Sequence, residues 1–415
     1  MQTLASTKQH IKDYDDMKYV TNITFMQTLS STQQHIKDYD DMKYVSNIIV
    51  VIPDTGSANL WVPDITCSDQ TSSCLVVIPD TGSANLWVPD ISCSDQTSSC
   101  PSYCKDSRLC DFLCDESCCT HTKHTTDSNC KGKNTFNSKN SYTYQADGRS
   151  FTFQYGTGKV SGIFGTDTVG LVGDLNTIQI PKTTFGQANT ISNNLGSNAF
   201  DGIMGLGFKS LAVDGITPPI INAINQGLFD KPIFTIFLQH KDTHNIYGET
   251  AGVITYGGFD NDNCNNIINY NDLSSATYWQ FHMSVLNFGY DSYNKYYFEA
   301  IADTGTSYIG APSWVVDDVT MKAGATYSDK YGLYLIDCNA KLPFTSVEIG
   351  GIEYQIPSNY LIDQLGNNLC AFTFFSIDGL GYSPQFILGD PFLMSICQVY
   401  DVENKRIGFA LPKVN

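Results

Sequence analysis

The chain has little positive charge. Only three of its 415 residues are arginine, and 24 lysines and arginines face 42 aspartates and glutamates, which gives a formal net charge of −18. A nucleic-acid partner needs a basic surface that neutralises phosphates, so the composition argues against one. The chain also lacks a run of 18 apolar residues and a charged-then-apolar leader. It therefore predicts neither a membrane span nor a secretory signal.

Cysteine, in contrast, is abundant and even in number, with 14 residues. Ten lie between Cys67 and Cys130, and the others are Cys264, Cys338, Cys370 and Cys397. This clustering favours disulfides and an oxidising compartment. A zinc site is the alternative, but the tightest repeated spacing is C-x3-C and no C-x2-C occurs. We therefore expect no metal, and nothing in the sequence implies an organic cofactor.

Two tandem repeats stand near the amino terminus. Residues 1–25 and 26–50 match at 20 of 25 positions, and residues 49–74 and 75–100 match at 24 of 26. A solenoid needs three or more stacked units, whereas each of these units occurs only twice. We interpret the repeats as a duplicated exon or as an error in the assembly of the gene's sequence. Residues 1–25 are then extraneous, and a folded domain uses one copy of each unit.

Beyond residue 140 the pattern indicates short β-strands with few helices. Residues 150–155 alternate apolar and polar, and the glycines of Gly156-Thr157-Gly158 predict a hairpin with Tyr155 at its bend. Two short helices are expected at residues 218–226 and 312–323, each with proline at its start and glycine after its end. The expected architecture is mostly β, with an amino-terminal lobe of residues 26–245 and a carboxy-terminal lobe of residues 246–415.

The tetrapeptide D-T-G-[ST] begins at Asp54, Asp80 and Asp303. The copies at Asp54 and Asp80 belong to the repeat, so two independent occurrences remain. Each follows an apolar run, which places the aspartate at the end of a strand, where a rigid loop can hold it. The glycines permit a second backbone to approach closely, and the hydroxyls can bond the carboxylate or the neighbouring loop. One such motif alone would indicate a turn, but two at strand ends indicate a site.

Two adjacent carboxylates have a characteristic chemistry. At about 3 Å they cannot both ionise cheaply, so one pKa rises and the pair shares a proton. The ionised carboxylate can then take a proton from a water while its protonated neighbour polarises a peptide carbonyl. The motif therefore indicates hydrolysis without a covalent intermediate.

These motifs resemble those of the pepsin-like aspartic proteases, and most of all the nematode branch with its cysteine-rich insertion. The resemblance covers residues 38–412, and the insertion corresponds to residues 93–130. It implies a bilobal acid-protease fold with a central cleft. Phe200-Asp-Gly-Ile-Met-Gly-Leu-Gly207 and Phe386-Ile-Leu-Gly-Asp390 resemble the segments that thread beside each catalytic loop. Cys338 is expected to pair with Cys370, and Cys264 with Cys397.

The resemblance also implies the site residues. Asp80 and Asp303 would be catalytic, with Asp54 as the duplicate alternative to Asp80. Residues around the substrate would be Tyr155, Gly156 and Thr157 of the flap, together with Gly82, Ser83, Trp87, Gly305, Thr306 and Tyr278. Trp87 would hydrogen-bond Tyr155, although an isolated tryptophan is as readily a core residue, and a strand tyrosine such as Tyr278 usually packs.

The implied function is an aspartic endopeptidase that hydrolyses polypeptides at acidic pH. We expect an extracellular or lysosomal monomer, with neither a nucleic-acid nor a membrane partner. The alternative is a catalytically impaired, protease-like protein that binds peptides, since a fold does not by itself imply a function.

Three features depart from the family pattern. The strand, Gly-Thr-Pro turn and return strand that precede the first aspartate are missing, which puts a central strand pairing in doubt. Pro53 and Pro79 come just before the aspartates. Proline has no amide hydrogen, so the strand loses one backbone hydrogen-bond donor to its neighbour at this position. No basic pro-segment precedes the mature-like start.

We expect Asp80 rather than Asp54 to be the first catalytic aspartate. The chain runs 75 residues from Asp80 to Tyr155 but 101 from Asp54, since a whole motif is then looped out before the flap. Asp54 has the more direct connection to the amino-terminal strand. However, each doubling of a loop's length adds only about 0.6 kcal/mol to the entropic cost of closing it, so a long loop before residue 75 is acceptable.

Overall fold

The computed structural model describes residues 32–34, 48–51, 74–93, 130–156, 158–172, 177–196, 198, 200–238, 252–366, 368–378 and 384–413. The first-copy aspartate Asp54 and Thr157, which is expected in the flap, lie outside the described residues. So does most of the cysteine-rich insertion, from residue 94 to residue 129.

The first nine strands precede residue 240, and short runs of β-branched and aromatic residues form most of them. They are β1 (Thr32–Gln34), β2 (Ile48–Val51), β3 (Cys74–Asp80), β4 (Leu86–Pro89), β5 (Gln145–Tyr155), β6 (Gly158–Val172), β7 (Thr177–Ile191), β8 (Gly202–Gly205) and β9 (Ile233–Leu238).

Sixteen further strands follow among the described residues. They are β10 (Gly252–Tyr256), β11 (Asn269–Asp272), β12 (Ser275–Ala276), β13 (Trp279–Phe288), β14 (Asp291–Ala302), β15 (Ile309–Ala311), β16 (Thr326–Ser328), β17 (Leu333–Ile336), β18 (Thr345–Ile349), β19 (Ile352–Ile356), β20 (Ile362–Gly366), β21 (Leu369–Phe372), β22 (Phe374–Ser376), β23 (Phe386–Leu388), β24 (Cys397–Asp401) and β25 (Arg406–Ala410).

The described α-helices are short accessories to the sheets. They are α1 (Asn193–Gly196), α2 (Pro219–Asn225), α3 (Ser313–Ala323) and α4 (Asp390–Leu393). Helices α2 and α3 lie within one residue of the predicted bounds, because the preceding proline caps each start. Gly324 ends α3 in the left-handed conformation, with φ of 74°. Together with the strands, the helices confirm the mostly β fold class.

Four sheets organise the described strands, and one of them joins the two halves of the chain. The seven-stranded sheet has the order β2-β3-β8-β4-β7-β6-β5, and the eight-stranded sheet is built around β19-β18-β13-β14-β23-β15-β22. A third sheet, β1-β10-β9-β24-β25-β11, takes strands from both halves, and a fourth is β16-β17-β21-β20. The expected lobe boundary at residues 245 and 246 lies outside the described residues and stays a prediction.

Strand β2 shows what the first copy of the longer repeat does in the fold. It runs parallel to β3, with Ile49 opposite Leu75 and Val50 opposite Val76, so residues of the first copy face their own duplicates. Ile49 also pairs with Leu171 of β6. Strand β3 therefore has neighbours on both edges, β2 on one and β8 on the other. Residues of the repeat thus supply one of the two strands that pair with β3.

Three disulfides stabilise the described part of the chain. Cys264 is bonded to Cys397 and Cys338 to Cys370, which are the two pairs that the resemblance implies. The third bond joins Cys93 to Cys130 and so closes the cysteine-rich insertion at its two ends. A bond that closes so long a loop stabilises the fold mainly by restricting the unfolded chain.

Candidate active site

The first aspartate, Asp80, ends strand β3 after a run of buried apolar residues. Leu75, Val76, Val77 and Ile78 are each at most 2% exposed, and Asp80 itself is 6% exposed. The Gly82 amide donates a hydrogen bond of 2.8 Å to Asp80 Oδ1. Because a tightly packed strand enters the loop, the carboxylate has little freedom to move.

The second aspartate, Asp303, is held in the same way in the other half of the chain. It follows β14, and its amide donates to the Leu388 carbonyl of β23 at 3.1 Å. The Gly305 amide donates to Asp303 Oδ1 at 2.9 Å and the Thr306 hydroxyl donates to Oδ2 at 2.6 Å. Asp303 is 8% exposed. Two loops with the same motif thus present two carboxylates in the same manner.

The two threonines of the motifs lock the loops together. The Thr81 amide donates to Thr304 Oγ1 at 3.1 Å, and the Thr304 amide donates to Thr81 Oγ1 at 2.9 Å. Each hydroxyl then donates to a carbonyl across the junction, Thr81 to Ala302 at 2.8 Å and Thr304 to Pro79 at 2.7 Å. All four bonds are buried, so they fix the spacing of the loops. Pro79 lacks an amide hydrogen, but its carbonyl supplies one of these acceptors.

Glycine is required at both loops because each faces the opposite carboxylate. A Cβ atom at Gly82 would stand 2.6 Å from Asp303 Oδ2, and one at Gly305 would stand 2.8 Å from Asp80 Cγ. Real Cβ atoms do not approach other atoms so closely, so any larger residue would push the carboxylates apart. The motif's glycines are therefore what allows the two aspartates to be neighbours.

Burial and proximity shift the pKa of both aspartates in the same direction. Burial raises the pKa of Asp80 well above its ordinary value, and the charge of Asp303 raises it further. Burial likewise raises the pKa of Asp303, although hydrogen bonds from Thr306 and Gly305 oppose the effect. The arrangement favours one proton held between the two carboxylates.

A hairpin places a tyrosine over this region of the molecule. Strands β5 and β6 form the hairpin, with Tyr155 opposite Gly158. The Trp87 indole N–H donates to the Tyr155 hydroxyl at 3.1 Å, which orients the ring. Burial, and then the charge of Asp80, raise the pKa of Tyr155, so the hydroxyl stays protonated. Gly156 is exposed at the turn that follows.

Tyr278 lies close to the aspartates from the other half of the chain. It packs against the small apolar cluster of Ile301, Ile377 and Ile387. Burial raises the pKa of Tyr278, with smaller contributions from the charges of Asp303 and Asp80. It is only partly buried, so it packs against this cluster and stays partly accessible.

One buried aspartate, with a lysine beside it, supports the first loop and is not revealed by the D-T-G motifs. Asp201 accepts hydrogen bonds of 2.8 Å each from the amides of Val76 in β3 and of Asn134. Burial raises the pKa of Asp201 to about 6, and burial lowers the pKa of Lys133 beside it to about 8. Lys133 Nζ donates to the Asn198 and Phe200 carbonyls at 2.8 and 2.5 Å. Only the aspartate's place within the Phe200–Gly207 segment could have signalled this pair.

The remaining expected site residues are placed as follows. The Ser83 amide donates to the Asp80 carbonyl at 3.4 Å, and the Ser83 carbonyl accepts from Gly207 at 2.7 Å. Asp54 and Thr157 lie outside the described residues. Within the described ranges there is no group of three or more histidine, cysteine, aspartate or glutamate residues arranged to hold a metal ion. No helix in those ranges is long and apolar enough to cross a membrane.

Taken together, mixed β-sheets, paired D-T-G loops and a tyrosine hairpin define the class of two-aspartate proteases. The chain matches the sequence model of the family "Eukaryotic aspartyl protease" over residues 72–412. It is 40% identical to Aspartic protease 6 of Caenorhabditis elegans over 98% of this chain and 85% of that protein. The identity to Aspartic protease 2 of Necator americanus is 37%, over all of this chain and 88% of that protein. Human gastricsin is 30% identical over 87% of this chain and 77% of its own.

The chain therefore belongs to the eukaryotic aspartyl protease family and has the pepsin-like fold. It is an aspartic endopeptidase, a hydrolase whose substrates are polypeptides. The resemblance to the nematode branch is confirmed by relatives from two nematode species. Its disulfides, together with this family membership, indicate the secretory pathway.

Proposed function

We propose that Asp80 and Asp303 are the catalytic pair of this endopeptidase. The observation that carries the proposal is the reciprocal packing of the two loops, in which each glycine faces the other aspartate. The hydrogen bonds between Thr81 and Thr304 support it by fixing the spacing. The family match also begins at residue 72, so it includes Asp80 and Asp303 and leaves Asp54 out.

The mechanism follows from the shared proton. The ionised carboxylate removes a proton from a water while the protonated one polarises the scissile carbonyl, and the water oxygen bonds to the carbonyl carbon. As the C–N bond breaks, the pair gives a proton to the leaving amine nitrogen, so it ends with the single shared proton it began with. The amides of Gly82 and Gly305 each stabilise the carboxylate oxygen that they contact. Neither a covalent intermediate nor a cofactor is needed for this sequence of steps.

The proposed substrate contacts surround the pair on both sides. Tyr155, Gly156 and Thr157 form the flap that closes over the peptide, and Trp87 holds the tyrosine in place. From the other half, Tyr278 forms a wall near Asp303. Around the carboxylates, Gly82, Ser83, Gly305 and Thr306 contribute backbone and hydroxyl groups. The flap excludes water and positions substrate, but it does not exchange the protons of the pair.

We expect Tyr155→Ala to lower kcat/KM roughly tenfold to hundredfold without abolishing hydrolysis, the scale on which mispositioned groups act. Tyr155→Phe is the matched control, because it keeps the ring and removes only the acceptor of the Trp87 bond. The phenylalanine variant should lose less activity than the alanine variant. Steady-state kinetics on a peptide substrate measure both. Complete inactivity of folded Tyr155→Ala would contradict a flap role.

The pH dependence of cleavage tests the proposed chemistry. Activity on denatured globin should peak below about pH 5, where the coupled pair holds one proton. A statine-type peptide, which mimics the tetrahedral transition state, should inhibit it. A maximum at neutral pH with no sensitivity to the statine peptide would refute the proposal. Tight binding of the statine peptide without cleavage would instead indicate the peptide-binding alternative.

Stability should also rise in acid. Burial raises the folded-state pKa of Asp201 to about 6, so between pH 7 and pH 4 the folded chain binds more protons than the unfolded chain. The raised pKa values of Asp80 and Asp303 change the stability in the same direction. Asp201 alone would contribute about 2–3 kcal/mol across this range, at 1.36 kcal/mol per pKa unit. Melting temperatures measured from pH 7 to pH 4.5 should increase, and Asp201→Asn should reduce that increase. A lower melting temperature at pH 4.5 would be the opposite result.

The organisation of the chain completes the proposal. We propose lobes of residues 26–245 and 246–415, each with one catalytic aspartate, and residues 1–25 as an extraneous duplicate. The sheets support this division. All strands of the seven-stranded sheet come from the proposed first lobe and all strands of the eight-stranded sheet from the second, and the sheet that combines β1 and β9 with β10, β24 and β25 joins the two. The enzyme would act as a monomer in an extracellular or lysosomal compartment. An acidic compartment is consistent with Asp201, because its raised pKa is expected to make the protein less stable above pH 6.

A further inference from the structure

A buried tryptophan outside the D-T-G loops links the two halves of the chain close to Asp80. Trp279 begins β13 and is 1% exposed. Its indole N–H donates a buried hydrogen bond of 2.9 Å to the carbonyl of Leu206, which follows β8 in the first half. A buried N–H group must find an acceptor, and this carbonyl is the one that Trp279 uses.

Leu206 connects this bond directly to the first aspartate. Its own amide donates to the Asp80 carbonyl at 2.7 Å, and the next amide, that of Gly207, donates to the Ser83 carbonyl at 2.7 Å. The Asp80 loop is thus held at two points by the segment that Trp279 binds. Two hydrogen bonds in series separate the indole from the Asp80 backbone.

On its other side, Trp279 is close to the strand that carries the second aspartate. The next residue, Gln280, is opposite Ile301 of β14, two positions before Asp303. The preceding residue is Tyr278, which lies near both carboxylates. The backbone around Trp279 thus pairs with the strand that leads to the second loop, while its indole bonds to the segment that contacts the first.

Aromatic packing leaves the indole little freedom to choose another acceptor. The Trp279 ring centroid lies 4.7 Å from that of Phe208, 4.9 Å from that of Tyr400 and 5.7 Å from that of Phe234. Tyr400 and Phe234 meet the indole edge-on, which fixes its plane as well as its position. The packing therefore holds the indole N–H in a fixed position relative to the Leu206 carbonyl.

We propose that Trp279 is a positioning residue for the aspartate pair: its bond to Leu206 sets the separation of the Asp80 loop from the second loop. The inference rests on the proposed function, in which Asp80 and Asp303 share a proton. Sharing depends on separation, because the interaction between two charges weakens as they move apart. A looser spacing would bring the two apparent pKa values of the pair closer together.

The test compares the pH profile of kcat in Trp279→Phe with that of the unmodified enzyme. The phenylalanine keeps an aromatic ring in the cluster and removes the N–H donor. We expect kcat to fall at least tenfold and the acid and alkaline limits of the profile to approach each other by at least half a pH unit. An unchanged separation of the limits would overturn the proposal, whatever happens to stability.

Two control variants separate positioning from general loosening. Ser210→Ala removes a different hydrogen bond between the halves, the 2.7 Å bond from Ser210 Oγ to the Ala276 carbonyl. Phe288→Leu reduces packing at the other end of β13, where Phe288 contacts Phe372, and leaves the ring contacts of Trp279 unchanged. Both should keep the separation of the two limits, even if Phe288→Leu lowers the melting temperature. Equal narrowing in either control would overturn the proposal.

A second measurement on the unmodified enzyme covers the case in which Trp279→Phe does not fold. The chain has four tryptophans, so single substitutions of the other three assign the Trp279 indole signal in a ¹⁵N spectrum. The shift of that signal should change over the pH range in which the pair titrates. A signal that stays constant there would contradict the proposal. If the unmodified chain cleaves no peptide, the proposed function fails first.

Discussion

Asp303→Asn is expected to fold normally and to lose peptide hydrolysis, with kcat/KM reduced at least about a thousandfold. Asparagine keeps the shape of the side chain and an oxygen that can accept from the Gly305 amide. It cannot ionise, so the pair can no longer share one proton between two carboxylates. Hydrolysis of denatured globin at acid pH measures the loss, and thermal melting checks the fold.

The matched control for this variant is Asp337→Asn, an aspartate that is exposed in the same half of the chain. The Asp337 side chain accepts a local turn hydrogen bond from the Asn339 amide at 2.8 Å, and its backbone carbonyl, which the substitution keeps, accepts from Ala340. This variant should retain full activity. Folded Asp303→Asn with activity within tenfold of the unmodified enzyme would remove Asp303 from the catalytic pair.

The second large effect concerns the duplicated motif, where Asp80→Asn should be inactive and Asp54→Asn should be active. Asp80 stands beside Asp303, and Trp87 of the same copy bonds the flap tyrosine. Strand β3 with its Asp80 also pairs with β8 on one edge and with the first copy's β2 on the other. Among the described residues, Asp80 and Trp87 of the second copy make these contacts.

Because the two repeats are nearly identical, this pair of variants is its own matched control. Kinetics and melting curves of both proteins, expressed in parallel, measure the effect. If Asp54→Asn is inactive and Asp80→Asn is active, the choice of Asp80 is wrong. If each variant alone retains full activity, the two copies are interchangeable.

Much of the site could be predicted from short sequence patterns. The D-T-G loops, the hairpin that ends at Tyr155 and the two proline-started helices all depend on residues close together in the chain. For such features, turn chemistry and strand periodicity are strong signals. The two disulfides and the bond from Trp87 to Tyr155 instead followed from the family resemblance, because spacing alone does not determine a pairing.

The contacts that hold the site together could not be predicted in this way. The bonds between Thr81 and Thr304 join residues 223 positions apart, and the Trp279 donor meets a backbone carbonyl 73 positions away. Every residue has a backbone carbonyl, so the sequence does not show which carbonyl accepts a given hydrogen bond. The pairing of β2 with β3 was equally hidden, since the sequence showed only that a family strand was missing.

Titration of the unmodified enzyme with a statine-type peptide tests the central claim most directly. Hydrolysis of denatured globin at about pH 4 is followed while the inhibitor is added in small steps, at an enzyme concentration far above the inhibitor's Kd. If one aspartate pair in each chain performs the chemistry, activity should fall linearly and reach zero at one equivalent of inhibitor per active chain. Activity that persists at several equivalents would show that a site other than the aspartate pair cleaves the peptide.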